Sequence, residues 1–152
     1  MNPASPVNAS ADYHVTDQVG HLLRRAYQRH TAIFQSVVPA SQLSAAQFVV
    51  LCVVRERPGA TIAEIAQASA MDEPSVRGLV ERLKWTDWVS VAHEPGDKRH
   101  ATVTLTEQGR RTVGETLPHA QQITELTFGD LNAEERQQLI RLLRRISGAA
   151  AA

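Results

Sequence analysis

The feature that most constrains the fold of this sequence is a change of hydrophobic spacing after Trp85. Before it, apolar residues recur every three or four positions, as on an amphipathic helix. After it, residues 89–93 and 101–105 alternate between apolar and polar, which is the spacing of a half-buried strand. Pro95-Gly96-Asp97-Lys98 separates the two alternating segments. The pattern therefore predicts one β-hairpin with a charged tip inside an otherwise helical chain.

Two short helices are predicted immediately before this hairpin. Thr61-Ile-Ala-Glu64 is a capping-box pattern that opens the first helix. Asp72 is placed to cap the second, and Pro74 is tolerated in its first turn. Two capped helices joined by residues 68–71 and followed by a hairpin predict a winged helix-turn-helix.

The flanking segments predict longer helices. An apolar stripe runs from residue 12 to 38, where Pro39 ends it, and a capping box at Ser44 opens a helix that reaches about Arg57. Thr106 is placed to cap a helix that bends at Pro118, and Asn132 is placed to cap the last one. The expected fold is mainly α with a small β-hairpin wing, in which a winged helix-turn-helix lobe joins a helical lobe. The expected divisions are a disordered tail (1–11), a first long helix (12–38), a winged helix-turn-helix DNA-binding domain (43–106) and further helices (107–148).

Composition excludes several other classes of protein. The one cysteine, Cys52, cannot form an internal disulfide or a cysteine-based zinc site. No apolar run approaches the roughly 20 residues of a membrane span, and the N-terminus lacks the pattern of a signal peptide, so a cytoplasmic location is expected. No nucleophile elbow, phosphate-binding glycine loop or paired carboxylates suggest an enzyme, and no cofactor is expected.

The second short helix is predicted to enter the major groove of DNA with its N-terminal residues nearest the bases. Arg77 can contact guanine through two hydrogen bonds, and Gly78 leaves room for a close approach. An arginine at the hairpin tip suits the narrow minor groove. The alternative is a helical bundle whose polar face is merely solvated, and the hairpin favours the DNA interpretation. The candidate DNA-binding residues of the helix and the tip are Pro74, Ser75, Arg77, Gly78, Arg82, Asp97, Lys98 and Arg99.

Residues 43–109 resemble the MarR family of bacterial transcriptional regulators. The resemblance rests on Leu-Ser-x-x-Gln-Phe at residues 43–48, Val-x-x-Leu-Val-x-Arg-Leu at 76–83, Asp-Lys-Arg at 97–99 and Leu-Thr-x-x-Gly at 105–109. With the flanking helices it covers roughly residues 12–147. It implies an obligate homodimer on a pseudo-palindromic operator, with residues 12–38 and 107–148 as the helices of a dimerisation lobe. It also adds Ser44 and Thr61 near phosphates. Pro74 and Gly78 depart from the residues of many relatives, so the operator sequence cannot be copied from the family.

The first helix further resembles those of nicotinate-catabolism repressors in this family. The resemblance implies release from DNA by a small aromatic or hydroxylated pyridine carboxylate, bound between the dimerisation helices and the winged lobe. Arg24 is then a candidate partner for the carboxylate, His21 for a ring hydroxyl or nitrogen, and Phe48 for ring stacking. Tyr13 and His14 complete the candidate effector site, although both histidines are equally consistent with a dimer surface.

Other interpretations remain open at this point. His93 and His100 flank the hairpin tip, with Glu94 as the one nearby third ligand for a metal-sensing site. A redox sensor would need an activated thiol, whereas Cys52 lies in an apolar segment with Arg55 as its only neighbouring cation. A module that binds protein rather than DNA, with the wing as its contact surface, is the alternative from a different class.

The net charge is zero, with 16 basic and 16 acidic residues, which at first argues against nucleic acid as a partner. Even residues 71–100 carry five Lys or Arg against six Asp or Glu. DNA binding must therefore depend on a few well-placed cations, doubled by dimer symmetry, and specific affinity should rest heavily on single arginines.

Overall fold

The computed structural model describes residues 13–40 and 42–148, and at positions 94, 98 and 99 it describes the backbone alone. Within these ranges seven α-helices and three short strands follow one another. They are α1 (Val19–Val37), α2 (Ala45–Glu56), β1 (Ala60–Thr61), α3 (Ile62–Ser69), α4 (Glu73–Trp85), β2 (Val89–Glu94), β3 (Asp97–Leu105), α5 (Glu107–Thr116), α6 (Ala120–Phe128) and α7 (Ala133–Ile146). The fold is therefore mainly helical with a small sheet, as the sequence predicts.

The five helix starts predicted from capping residues are confirmed, because each depends on residues close together in the chain. The side chains of Ser44, Thr61 and Asn132 each accept a hydrogen bond from the backbone N–H three residues on, and the residue at that position bonds back to the cap. Asp72 and Thr106 cap α4 and α5 in the same way, without the return bond. These bonds satisfy N–H groups that have no partner inside the helix.

Two helix predictions need correction. The first helix does not run unbroken through residues 13–38, because Val15–Asp17 form a separate 3₁₀ turn and Gln18 is extended before α1 begins at Val19. The helix after Thr106 does more than bend, since Leu117–His119 form a 3₁₀ turn that separates α5 from α6. Pro118 explains this break because its ring cannot continue an α-helix without losing a backbone hydrogen bond.

The sheet has the predicted hairpin and one strand more. β3 pairs antiparallel with β2 on one side and with β1 on the other, where Ala60 lies opposite Val103. The turn of the hairpin is Pro95-Gly96, and Gly96 has a φ of +89°, a conformation that favours glycine. Residues 97–99, predicted to form the tip, instead begin strand β3. The two-residue turn is shorter than the predicted four because pairing resumes at Glu94 and Asp97.

The core lies between α2, α3, α4 and the sheet. Its fully buried side chains include Leu51, Ile65, Val76, Leu83 and Val103. Helix α6 packs on α1, whereas no residue of α7 is buried. Among the described helices, none combines the length and the apolar character that crossing a membrane requires.

Candidate functional site

The N-terminus of α4 is organised by Asp72. One carboxylate oxygen accepts the backbone N–H of Ser75 at 2.7 Å, and the other accepts the Ser75 hydroxyl at 2.9 Å. The backbone bond, followed by the hydroxyl bond, holds the pKa of Asp72 below its usual value. Because the hydroxyl hydrogen of Ser75 is engaged in this way, its oxygen is left to accept a hydrogen bond from a partner outside the helix.

A shallow groove of about 560 Å³ runs along α4 beside the first turn of α2. Four predicted DNA-binding residues line it together, namely Pro74, Ser75, Gly78 and Arg82. The groove has five further lining residues that were not predicted to contact DNA: Ala46, Ala70, Met71, Asp72 and Leu79. Nothing lies within 4 Å of a Cβ built on Gly78, so the helix surface there is open to a close approach.

Arg77 lies outside this groove. Its guanidinium is 3.7 Å from the carboxylate of Glu73, one turn earlier, and both side chains are more than half exposed. An exposed pair of this kind contributes little to stability and is easily exchanged for another acceptor. Arg77 is therefore available to a base or a phosphate.

Ser44 and Thr61 are the N-caps of α2 and α3. Their hydroxyls accept the N–H groups of Gln47 at 3.1 Å and of Glu64 at 3.2 Å. Neither residue lines the groove beside α4. Each retains a hydroxyl hydrogen that can be donated to a phosphate.

The wing places Asp97 at the start of β3. Its carboxylate lies 2.5 Å from Nδ1 of His100. No pattern in the sequence indicates this contact of Asp97 with His100. The expected DNA contacts of Lys98 and Arg99 remain predictions, since their side chains are outside the described set.

A second pocket, of about 210 Å³, lies between α1, α2 and α6. Apolar side chains dominate its lining, and the rings of Phe34 and Phe48 meet there with centroids 5.6 Å apart. Its volume is below the usual range for drug-sized ligands, which suits a molecule of one ring. The full lining is Tyr27, His30, Phe34, Ala45, Phe48, Val49, Ala120, Ile123 and Thr124.

His30 is oriented in this pocket by a chain of hydrogen bonds to α6. The Thr127 hydroxyl lies 2.7 Å from the Ile123 carbonyl oxygen, which can only accept, so Thr127 donates there. Nδ1 of His30 is 2.9 Å from the same hydroxyl oxygen and must therefore be the donor. In the neutral imidazole, Nε2 is then the nitrogen with a free lone pair.

The predicted effector residues are only partly brought together. Phe48 lines the pocket, whereas Tyr13, His14, His21 and Arg24 do not. Tyr13 and His14 precede α1, contrary to their expected place on the first helix, and Tyr13 is 61% exposed. Tyr27 and His30 were missed as candidates. The spacing of Tyr27, His30 and Phe34 by three and then four residues was the available signal, since it places a histidine on the apolar stripe.

Neither alternative sensing site gains support from the described residues. Burial raises the pKa of the Cys52 thiol, against the smaller lowering effect of Arg55. The thiol is thus less activated than an ordinary cysteine, as its apolar neighbours predict. Among the described side chains, which do not include that of Glu94, no three His, Cys, Asp or Glu are grouped so as to hold a metal ion.

Comparison with known proteins places this geometry in a family. Residues 43–101 match the MarR family. The chain is 46% identical to the HTH-type transcriptional repressor NicR of Pseudomonas putida, over 95% of this chain and 91% of the relative. It is 27% identical to the transcriptional regulator HosA of Escherichia coli, over 85% of this chain and 94% of the relative.

A solved structure gives the same result. The structure of Bordetella bronchiseptica BpsR, a protein whose DNA binding is regulated by 6-hydroxynicotinic acid, superposes with a TM-score of 0.83 at 50% identity. The match covers 90% of this chain and 98% of that one. The family match over residues 43–101 and the identity to NicR over almost the whole chain agree with the observed helix-turn-helix, wing and flanking helices. The chain therefore belongs to the MarR family of transcriptional regulators.

Proposed function

We propose that this protein is a homodimeric transcriptional repressor that binds a pseudo-palindromic operator and leaves it when a hydroxylated pyridine carboxylate binds. The pocket between α1, α2 and α6 carries the proposal, because it joins the winged lobe to the helices that flank it. BpsR, at 50% identity, supports a ligand of the 6-hydroxynicotinate type. A regulator of this kind performs no catalysis and acts in the cytoplasm, where the chromosome lies.

In this proposal α4 enters the major groove. Arg77 reads a guanine, Ser75 accepts a hydrogen bond from a base amino group, and Gly78 allows the helix to approach closely. Arg82 and the hydroxyls of Ser44 and Thr61 bind phosphates, while Pro74 shapes the first turn against the groove floor. Lys98 and Arg99 of the wing bind the minor groove, and Asp97 is the first residue of the same strand, next to the turn.

The second subunit covers an apolar surface that the single chain leaves in solvent. Val19, Leu22 and Leu23 of α1 are 41–65% exposed, and five apolar residues of α7 are 36–63% exposed. A cleft of about 380 Å³ between these helices is lined by Leu23, Ile140, Leu143 and Ile146. An exposed apolar surface on this scale in a regulator of this family supports dimerisation through residues 12–38 and 107–148.

The effector is proposed to bind with its ring between Phe48 and Tyr27. Nε2 of His30 accepts the ring hydroxyl or, in the lactam form, the ring N–H. No lysine or arginine lines the pocket, so the carboxylate extends towards Arg24, one helical turn before Tyr27. Tyr13, His14 and His21 remain candidate contacts at the open end of the site. The differential affinity of the ligand for the two dimer geometries sets how far DNA binding falls.

The DNA-binding part is tested by selecting a duplex from a random-sequence pool on the wild-type protein. Binding to that duplex should fall steeply with salt. Arg99→Ala should weaken binding to many sequences, whereas Arg77→Ala should also relax preference at one base pair, by about 1–3 kcal/mol. Retention of wild-type affinity and preference by both variants would contradict this docking.

The effector part is tested by titrating 6-hydroxynicotinic acid into the protein–duplex complex, with benzoic acid as the comparison. Release by 6-hydroxynicotinic acid should require His30, so His30→Ala should bind the duplex normally and resist release. Failure of 6-hydroxynicotinic acid to release the wild-type protein from the duplex at millimolar concentration would refute this choice of effector class.

A further inference from the structure

Trp85 is the most exposed large apolar residue among the described residues, with 88% of its surface accessible. Trp88, three positions on, is 6% exposed in the core. A tryptophan whose large apolar ring is not packed against its own chain is typical of a surface that binds a partner. In the sequence, Trp85 stands at the boundary between the helical and the strand-like hydrophobic spacing.

Helix geometry places Trp85 on the DNA-facing side of α4. It follows Pro74 by eleven residues and Gly78 by seven, which are spacings that return to one side of an α-helix. Pro74, Gly78 and Arg82 are exposed on this side, whereas Val76, Val80 and Leu83 are buried on the other. Trp85 thus continues the surface that begins at the groove beside α4.

The distance along the helix indicates which part of the DNA Trp85 meets. At about 1.5 Å per residue, Trp85 lies about 10 Å beyond Gly78 towards the C-terminus of α4. The major groove is about 12 Å wide, so a helix whose first turns read bases has its last turn at the sugar–phosphate backbone. An indole suits that place, since its ring packs on deoxyribose and its N–H donates to a phosphate oxygen.

Electrostatics at the end of α4 favour this role for an uncharged donor. The C-terminus of a helix carries partial negative charge, which opposes a phosphate. Lys84 lies there in an exposed ion pair, its ammonium 3.5 Å from the carboxylate of Glu81. It would have to exchange that partner for a phosphate, as Arg77 would exchange Glu73. No described residue accepts a hydrogen bond from the indole N–H of Trp85, so a contact there needs no such exchange.

Resting on the proposed DNA-binding function, we propose that Trp85 is a DNA-contact residue. It packs on the sugar–phosphate backbone at the outer edge of each half-site. It positions α4 without reading bases, so its contribution is the same for every sequence.

The test uses the duplex selected on the wild-type protein, carrying a fluorescent label for anisotropy, and acrylamide quenching of tryptophan emission. In the free wild-type protein the quenched emission should come from Trp85, because Trp88 is buried. Saturating duplex should shield it and reduce quenching by about half or more. In Trp85→Phe, where Trp88 alone emits, the duplex should leave quenching unchanged.

Affinities provide the second measurement. Trp85→Ala should weaken binding about fivefold, and by the same factor for the selected duplex and for variants with altered bases. The affinity of Trp85→Phe should lie between those of the wild type and Trp85→Ala, because phenylalanine keeps an aromatic ring and lacks the indole N–H. Helical content by circular dichroism should be unchanged in both, since the residue lies on the surface.

Three outcomes would overturn the proposal. Tight binding by anisotropy, with Trp85 still fully quenchable and Trp85→Ala binding like wild type, refutes the Trp85 contact alone and leaves the proposed function intact. Shielding of Trp85 that depends on protein concentration without DNA assigns the surface to a second copy of the chain. Failure to select any duplex refutes the proposed function and this contact with it.

Discussion

Gly109 of α5 lies directly against the backbone carbonyl of Trp88. A Cβ built on Gly109 would be 1.9 Å from that oxygen, a separation that no real side chain shows. The same oxygen accepts the N–H of Thr106 at 3.1 Å, so it cannot turn away without losing a bond. This contact fixes the start of α5 against the residue that precedes strand β2 of the wing. A glycine in the first turn of this helix is thus a packing requirement rather than a break.

Gly109→Ala should therefore destabilise the fold by about 3 kcal/mol, because backbone must move to admit the methyl group. Gly114→Ala is the matched control on the same helix, where nothing lies within 4 Å. It should stabilise by up to about 1 kcal/mol through helix propensity. Urea unfolding of both variants measures the difference, and equal stabilities would show that the close approach to Trp88 is not maintained.

Gly78→Ala separates stability from DNA binding. The position is open, so the new methyl group should stabilise α4 by about 1 kcal/mol. The same methyl group stands on the surface proposed to approach DNA, and affinity for the selected duplex should fall about tenfold. Thermal unfolding and duplex anisotropy measure the two effects. A stabilised variant with unchanged affinity would place Gly78 outside the interface.

Thr127→Val should weaken the effector response without removing the His30 ring. The valine takes away the oxygen that accepts from Nδ1, so Nε2 is no longer held as the acceptor. The concentration of 6-hydroxynicotinic acid needed for half-release should rise about tenfold, an effect of about 1.4 kcal/mol. Thr124→Val is the matched control, because Thr124 lines the pocket but takes no part in this chain of bonds. An identical shift in both variants would show that polarity of the pocket, rather than orientation of His30, matters.

Cys52 should react slowly with thiol reagents. Burial raises the pKa of the thiol above its ordinary value, so at pH 7–8 the reactive thiolate is scarcer than in a free cysteine. The rate should rise as pH increases through that raised pKa, and denaturant should accelerate it by exposing the residue. Duplex binding should survive peroxide treatment. Fast labelling of the native protein at neutral pH would instead favour a redox sensor.

The candidate DNA surface was largely predictable because it is built within one short stretch. The positions of Asp72, Ser75 and Gly78 follow from where α4 begins. That start depends on a hydrogen bond between Asp72 and Ser75, which are three positions apart in the chain. The wing was predictable as a hairpin but not in its details. Its third strand comes from residues 60 and 61, some forty positions away from their partners in β3.

The candidate effector pocket was predictable only in part, because it is assembled from three separate helices. Phe48 was identified, since it lies near the start of a helix that the capping box at Ser44 marks. The ring of His30 is oriented by its hydrogen bond to Thr127, 97 positions further on, and no local pattern in the sequence indicates that contact. The break at Pro118 also matters, because it separates α6 from α5 and allows α6 to pack on α1.

The sequence by itself determined where the five capped helices begin, because a cap acts over three or four residues. It also determined the order of helix, turn, helix and wing that defines the family. Only the tertiary structure decided which of two nearby tryptophans is buried, which nitrogen of His30 is free, and why Gly109 admits no side chain. The physical reason is that burial, tautomer and close approach depend on partners that are distant in the chain and meet only when the helices pack.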